Sequence, residues 1–333
     1  MLRLGYKASA EQFGPRQLLD FTISAEKHGF ESAWTSDHYQ PWRHTGGHAP
    51  NAVAWLGAAA ASTQRITLGT SVLTPTLRYN PAVVAQAFAT LGCLAPGRII
   101  LGVGTGESLN EIVVGAPWPE QKERFHRLKE SVLVMQQLFR EEFVSFEGEY
   151  YRTHNATLYD RPDQPVPVYI AGSGPAAARL AGRIGDGFIA TSGKASELYT
   201  EQLLPAVAEG LEKGGRAGGA IERMIEMKVS FDTDSARAME DTKIWAALAL
   251  PGEQKVGIED PREMERLAKT VEDVAHRRWL VSDDPDEHVE QIRPYIEWGF
   301  DHLVFHFPGD DQERAMGLYA EHVLPRLRDR FGA

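Results

Sequence analysis

Residues 35–50, TSDHYQPWRHTGGHAP, hold several side chains that can transfer protons or stack on a planar ligand. Asp37 directly precedes His38, and a carboxylate in that position can orient an imidazole, which titrates near neutral pH. Trp42 follows on the same segment. The glycines and prolines nearby exclude a regular helix, so the segment is predicted to be a loop. The alternative is a surface loop in which Asp37 caps a turn and His38 faces water.

Two glycine-rich segments each follow a predicted strand. In residues 102–107, GVGTGE, the glycines let the backbone approach a flat ligand, and Glu107 would point into the site unless it caps the next helix. In residues 172–177, GSGPAA, amide groups at a helix N-terminus could bind a phosphate, although a tight turn without ligand has the same pattern. The first segment lacks the third dinucleotide-binding glycine, and the second is weak evidence alone.

Three basic residues far apart in the chain form another candidate group. Lys194, Lys255 and Arg278 would together suit a phosphate monoester dianion, but each taken singly is expected to be a solvated charge. Sequence alone does not bring them together. No metal site is expected, because glycines separate His44 from His48 and no thiolate or HExxH pattern is present.

Short apolar segments alternate with helical ones along the chain and would have to position these residues. Regular alternation of this kind implies parallel pairing with right-handed crossovers. The chain is therefore predicted to be a single (β/α)8 barrel over residues 1–333, with a mainly helical insertion at about 234–280; a doubly wound open sheet is the competitor. In a barrel, the loops after the strands converge on its C-terminal mouth. The predicted strands are residues 2–6, 32–35, 65–70, 98–103, 166–171, 187–190, 224–231 and 302–307.

Composition limits the partners of the chain. The formal net charge is −11 over 333 residues, which argues against nucleic acid or an anionic membrane as a partner. No apolar run approaches the roughly 18 residues of a membrane span, and no apolar signal core is evident. The single cysteine, Cys93, is expected to be a buried thiol in a reducing, cytoplasmic compartment.

Five segments together resemble one family. They are LGYKASAEQF, TSDHYQPWRHTGGHAP, LGTSVLTPTLRYNPAVVAQAFAT, LGVGTGESLNE and HLVFHFPG, and they resemble the F420-dependent glucose-6-phosphate dehydrogenases of the bacterial-luciferase-like superfamily. The resemblance extends over essentially the whole chain. It implies a (β/α)8 barrel, a homodimer, and transfer of a hydride from C1 of glucose 6-phosphate to C5 of the deazaflavin coenzyme F420.

The resemblance also implies roles for individual residues. His38 and Glu107 would be the acid and base, with His38 preferred at the sugar hydroxyl and Glu107 at the cofactor ring; the reverse assignment is open. Trp42 would wall the sugar site, and Glu11 would reach the same pocket. A non-proline cis bond is implied between Ser71 and Val72, beneath the ring. The other implied cofactor contacts are Asp37, Thr74, Thr105, Asn110, Ser173, Gly174 and Ala176, and the implied sugar-phosphate contacts are Thr191, Lys194, Lys255 and Arg278.

Three alternatives to glucose 6-phosphate oxidation remain at this point. Other hexose phosphates, such as fructose 6-phosphate or mannose 6-phosphate, are alternative substrates, because the chain departs from the family at Ser173 and in residues 262–277. An FMN-dependent monooxygenase of the same superfamily would not need the three basic residues. A non-catalytic sugar-phosphate or cofactor binding protein would bind without turnover.

Overall fold

A computed structural model describes residues 2–216, 221–255 and 257–332. The predicted strands are confirmed to within about two residues at their ends, and three further strands accompany them. The strands are β1 (Arg3–Ala8), β2 (Ser32–Thr35), β3 (Thr67–Thr70), β4 (Ile99–Val103), β5 (Val144–Glu147), β6 (Arg152–Ala156), β7 (Val168–Ala171), β8 (Gly187–Thr191), β9 (Glu222–Phe231), β10 (Leu280–Ser282) and β11 (His302–His306).

The sheet closes on itself, which confirms the barrel and excludes the open sheet. Eight parallel strands follow one another in the order β1, β2, β3, β4, β7, β8, β9 and β11, and β11 pairs again with β1. The short strand β10 adds to the far end of β9, with Leu280 opposite Val229. Strands β5 and β6 form a separate antiparallel hairpin.

Helices surround the barrel and provide the crossover connections. The α-helices are α1 (Pro15–Lys27), α2 (Ala52–Ser62), α3 (Pro81–Leu94), α4 (Ser108–Glu111), α5 (Gln121–Arg140), α6 (Pro175–Ile184), α7 (Leu204–Lys213), α8 (Ser235–Asp241), α9 (Gly252–Lys255), α10 (Pro261–Ala268), α11 (Pro285–Trp298), α12 (Gln312–Leu318) and α13 (Leu324–Phe331). Turns of 3₁₀-helix occupy Ile112–Val114, Thr242–Ala249 and Lys269–Arg278, and π-helical turns occupy Leu198–Leu203 and Tyr319–Val323.

Local sequence explains where the helices begin. The side chain of Asn80 accepts a hydrogen bond from the amide of Ala82, and Pro81 occupies the first turn of α3. Asp284 caps α11 in the same way. That helix ends at Gly299, whose φ of 107° lies in the left-handed region that favours glycine. The βα units are therefore delimited by short-range signals.

The barrel interior is filled by a cluster of buried side chains whose largest member is Trp34; the others are Ile100, Tyr169, Ile189, Met224 and Val304. Trp34 on β2 is fully buried and packs with Tyr169, with ring centroids 5.8 Å apart. A side chain at position 69 of β3 would meet the Trp34 ring at 2.6 Å, so only glycine fits there. The filled interior closes the barrel below the mouth, and any ligand site must therefore lie above it.

Residues 235–278 carry several short helices between β9 and β10, where the sequence predicts a helical insertion. Their apolar side chains form a small cluster of Ala247, Leu250 and Met264, against which Trp42 packs. These helices therefore cover the loop that contains His38 and Trp42.

Two further features bear on the sequence predictions. The expectation of a buried Cys93 is wrong: the thiol is exposed near the end of α3, because the helix turns this residue away from the sheet that its apolar neighbours cover. No helix within the described residues is both long and apolar enough to cross a membrane.

Candidate active site

Loops after five consecutive barrel strands line a cleft of about 260 Å³ at the C-terminal mouth. Most of the residues that the sequence assigns to a cofactor line it. They are Asp37, Ser71, Val72, Thr74, Thr105, Asn110 and Ser173, together with His38, Glu107 and Thr191 from the other two groups. Gly174 and Ala176 do not line this cleft; they lie at the start of α6, beside Ser173.

His38 lies between two carboxylates. Its Nδ1 is 3.4 Å from Oε2 of Glu11, and its Nε2 is 3.9 Å from Oε2 of Glu107. Glu11 is nearly buried, whereas about half of the Glu107 side chain is exposed to the cleft. The three residues come from the loops after β1, β2 and β4, and the side-by-side pairing of strands β1 to β4 brings these loops together. Such an arrangement can stabilise a positively charged imidazole and move protons between the three groups.

Burial raises the pKa of Glu11, and the charge of Glu107 adds to the increase, while His38 and Lys7 oppose it. The carboxylate of Glu11 also accepts a hydrogen bond from the backbone amide of Trp42 at 3.3 Å and from the hydroxyl of Ser36 at 3.4 Å. Glu11 thus holds the loop after β2 in place in addition to facing the imidazole.

Trp42 connects the acid–base group to the basic residues. Its indole Nε1 donates a hydrogen bond to Oε2 of Glu107 at 3.2 Å. The ammonium group of Lys255 lies 5.5 Å from the centre of a Trp42 ring, within the range of a cation–π contact. A ligand between the two groups would therefore have the indole as one wall.

A buried ion pair anchors the loop after β2 from the cofactor side of the cleft. The carboxylate of Asp37 contacts the guanidinium of Arg78 at 2.5 Å, and Arg78 also contacts Glu111 at 3.0 Å. The amide oxygen of Asn110 accepts hydrogen bonds from the backbone amides of Tyr39 and Gln40, at 2.8 and 3.2 Å. Asp37 and Asn110, predicted to contact a cofactor, therefore also position the loop that carries His38.

The loops after β3 and β4 meet at the floor of the cleft. The peptide bond between Ser71 and Val72 is cis, as predicted. Lys7 donates hydrogen bonds to the carbonyl and the hydroxyl of Ser71, at 2.9 and 2.6 Å. A side chain at Gly104 would meet Val72 at 2.7 Å, so glycine lets the two loops close beneath the cleft. A side chain at Gly174 would meet no atom within 4 Å, which leaves open space beside the N-terminus of α6.

These observations fit the deazaflavin cofactor that the resemblance implies. The two close loops would support the planar ring, and the open N-terminus of α6 would receive its phosphate. His38 and Glu107 face the same cleft. In the described residues, no three histidine, cysteine or acidic side chains are grouped as metal ligands would be.

The structure brings the three separated basic residues together. Burial, followed by the charges of Lys194 and Arg278, lowers the pKa of Lys255 to about 8. Burial, followed by the charges of Arg278 and Lys228, also lowers the pKa of Lys194. Arg278 reaches the carbonyl of Gly193, next to Lys194 in the chain. Positive side chains that repel one another in this way are typical of a site that binds an anion.

Four further polar residues at the mouth were not singled out from the sequence. They are Lys7 on β1, Glu226 and Lys228 on β9, and His306 on β11. The ammonium groups of Lys7 and Lys228 lie 3.2 and 3.3 Å from the carboxylate of Glu226. The alternation of Glu226, Lys228 and Ser230 along a strand was the available signal, because every second residue of a barrel strand faces inward.

The family model for luciferase-like monooxygenases matches residues 2–302. Two similar proteins, from Nakamurella multipartita and Beutenbergia cavernae, are both F420-dependent glucose-6-phosphate dehydrogenases. They are 65% and 64% identical to this chain over 99% of its length and 98% of theirs. An F420-dependent secondary alcohol dehydrogenase, solved with an F420–acetone adduct, is 34% identical and superposes with a TM-score of 0.92 over 98% of this chain and 99% of its own. A coenzyme F420-dependent tetrahydromethanopterin reductase from Methanopyrus kandleri, 24% identical with a TM-score of 0.82 over 98% of this chain and 99% of its own, shares the fold.

Proposed function

This chain belongs to the luciferase-like monooxygenase family, and from that membership we propose that it oxidises glucose 6-phosphate to 6-phosphogluconolactone with coenzyme F420. The relatives at 65% and 64% identity support both the cofactor and the substrate. One structural observation carries the proposal. A carboxylate–imidazole–carboxylate group and a cluster of cations meet at Trp42, in one mouth of the barrel.

Oxidation of the sugar needs a base at its C1 hydroxyl. We assign this base to His38, because Glu11 beside Nδ1 stabilises the imidazolium that forms when Nε2 takes a proton. Glu107, which is more exposed to the cleft and accepts a hydrogen bond from the indole of Trp42, would supply the proton that the reduced cofactor ring takes up. The bound coenzyme F420 supplies the hydride acceptor, and the protein residues orient the sugar and manage its proton.

The cations recognise the phosphate end of the sugar in this proposal. Lys194, Lys255 and Arg278 supply point charges and a planar guanidinium, which together match a dianionic phosphate monoester. Thr191 adds a hydroxyl at the end of β8. A hydrocarbon or simple alcohol substrate would leave these charges without a partner, which favours a sugar phosphate.

The proposal also covers the domain organisation, compartment and assembly of the protein. We treat residues 1–333 as one barrel domain with a helical insertion at about 234–280. The net charge of −11 and the single cysteine support a cytoplasmic enzyme without nucleic acid or membrane as a partner. The homodimer stays a prediction from the family resemblance, which sedimentation of the purified protein would test.

The test is the absorbance at 420 nm of the protein mixed with oxidised coenzyme F420 and glucose 6-phosphate. We expect bleaching that requires both reactants, with none when FMN or NADP replaces the coenzyme. Fructose 6-phosphate and mannose 6-phosphate would then measure the breadth of the site. Bleaching with isopropanol but not with any hexose phosphate would contradict the assigned substrate and leave the cofactor assignment intact.

A further inference from the structure

Lys228 occupies an unusual position for a lysine. It lies in the middle of β9 with its side chain 5% exposed, and its ammonium group points to the mouth of the barrel. Nζ lies 3.3 Å from Oε1 of Glu226 and donates a hydrogen bond at 3.3 Å to the hydroxyl of Thr191. Burying a lysine to this degree costs free energy, because its charge is removed from water. A compensating interaction or a function is therefore expected.

The ion pairing around Lys228 is incomplete. Glu226 is shared by two lysines, since Lys7 contacts its other oxygen at 3.2 Å. Among the described residues, Glu226 is the only acidic side chain within 4 Å of either lysine. Burial lowers the pKa of the adjacent His306 to about 4, so this imidazole is neutral at physiological pH. Within 4 Å, one carboxylate therefore faces two buried ammonium groups, and this excess of one positive charge is the surplus charge of the site; the carboxyl of Glu11 acts on Lys7 only from beyond that distance.

That surplus charge lies beside the other cations. Burial is the largest cause of the lowered pKa of Lys194, Lys228 and Lys255. The charge of Lys228 also lowers the pKa of Lys194 and of Lys255, and the charge of Arg278 lowers the pKa of Lys228. Thr191 contacts Lys228 and also lines the cleft at the mouth of the barrel. Its hydroxyl accepts a hydrogen bond from Lys228, and within the described residues the one acceptor to which it can donate is the carbonyl of Ser192, at 3.4 Å. Its proton is thus available to an incoming oxygen.

We propose that Lys228 is a fourth cation of the phosphate pocket, which binds the anionic end of the substrate from below through Thr191 and through its own charge. The inference rests on the proposed function, because it extends the same site. Lys228 is a positioning residue for the phosphate group in this scheme. Glu226 holds it in place, and the surplus charge is neutralised when a dianion binds.

A lysine that binds the phosphate and a lysine that only stabilises the fold respond differently to substitution. In Lys228→Met, Glu226 keeps Lys7 as a one-to-one partner, and a buried charge without a counterion is removed. We therefore expect the urea midpoint of unfolding to stay unchanged or rise, while KM for glucose 6-phosphate rises about tenfold or more and kcat changes less than about threefold. Lys228→Arg, which keeps the charge, should retain most of the affinity. Lys213→Met, on an exposed lysine of α7, is the matched control.

Calorimetric binding of inorganic phosphate separates this inference from the function itself. Wild-type protein that binds phosphate but does not oxidise glucose 6-phosphate would overturn the proposed reaction while still testing Lys228. We expect Lys228→Met to weaken phosphate binding about tenfold and to leave the dissociation constant of coenzyme F420 within about twofold. Unaltered phosphate binding, or a variant that no longer folds, would overturn the proposal, because the charge would then serve the fold and not the ligand.

Discussion

The indole nitrogen of Trp42 donates a hydrogen bond to the carboxylate of Glu107 across 3.2 Å, although the two residues are 65 positions apart. Trp42 comes from the loop after β2 and Glu107 from the loop after β4. Because the ammonium of Lys255 lies over the indole ring, the same side chain joins the acid–base group of Glu11, His38 and Glu107 to the cation cluster. A single substitution at Trp42 can therefore separate the two connections.

Trp42→Phe keeps an aromatic ring near Lys255 and removes the donor to Glu107. We expect kcat for glucose 6-phosphate to fall about two- to tenfold, the value of one hydrogen bond, with KM nearly unchanged. Trp42→Ala, which removes the ring as well, should raise KM in addition. Steady-state kinetics of both variants measure the difference. An unchanged kcat in Trp42→Phe would mean that the hydrogen bond does not position Glu107 for the reaction.

His38→Ala should lower kcat by about 10²- to 10⁴-fold, the usual contribution of a general base. The dissociation constant of coenzyme F420 should change little, because Asp37 and Asn110 hold the loop independently of the imidazole. His44→Ala is the matched control, since His44 lies on the same loop with an exposed side chain. Wild-type turnover in His38→Ala would remove the imidazole from the mechanism.

The pH dependence of kcat/KM should report Lys255. Its pKa is lowered to about 8, so the ammonium loses its proton as the pH rises through that value, and the phosphate site loses a positive charge. We expect kcat/KM to decline above about pH 8, and to decline also below about pH 6 as the substrate phosphate gains a proton. In Lys255→Arg the alkaline decline should disappear, because arginine stays charged. An identical alkaline limb in this variant would assign the titration to another group.

Gly174→Ala tests where the cofactor approaches the protein. The added methyl group would meet no protein atom within 4 Å, and the φ of −150° at this position is open to any residue. We therefore expect a change in unfolding free energy below about 1 kcal/mol, but at least tenfold weaker binding of coenzyme F420 if its phosphate lies against α6. Fluorescence titration measures the affinity. Gly57→Ala, where added atoms also meet nothing within 4 Å, is the control; equal affinities in both variants would move the phosphate elsewhere.

The positions of the barrel strands could be read from the sequence because the signals are local. Apolar segments such as residues 99–103 and 302–306 are bounded by glycine, proline and polar residues within a few positions. Short β10 was missed, because three residues at the end of an insertion carry no period of their own. The family resemblance further named the Ser71–Val72 cis bond, which no local pattern of residues predicts.

Only the tertiary structure decided which charges act together. Lys194, Lys255 and Arg278 became one cluster because the end of β8 and the helices after β9 lie at the same rim of the closed barrel. Strand alternation was a signal that could have placed Lys228 inside the barrel. It could not show that Lys228 shares Glu226 with Lys7, which comes from a strand more than 200 residues away in sequence. Local sequence determines the backbone of each βα unit through short-range capping and apolar burial. The electrostatic field at the mouth is the sum of contributions from charged residues that are distant in sequence. These residues come together only when the first and last strands of the barrel have paired.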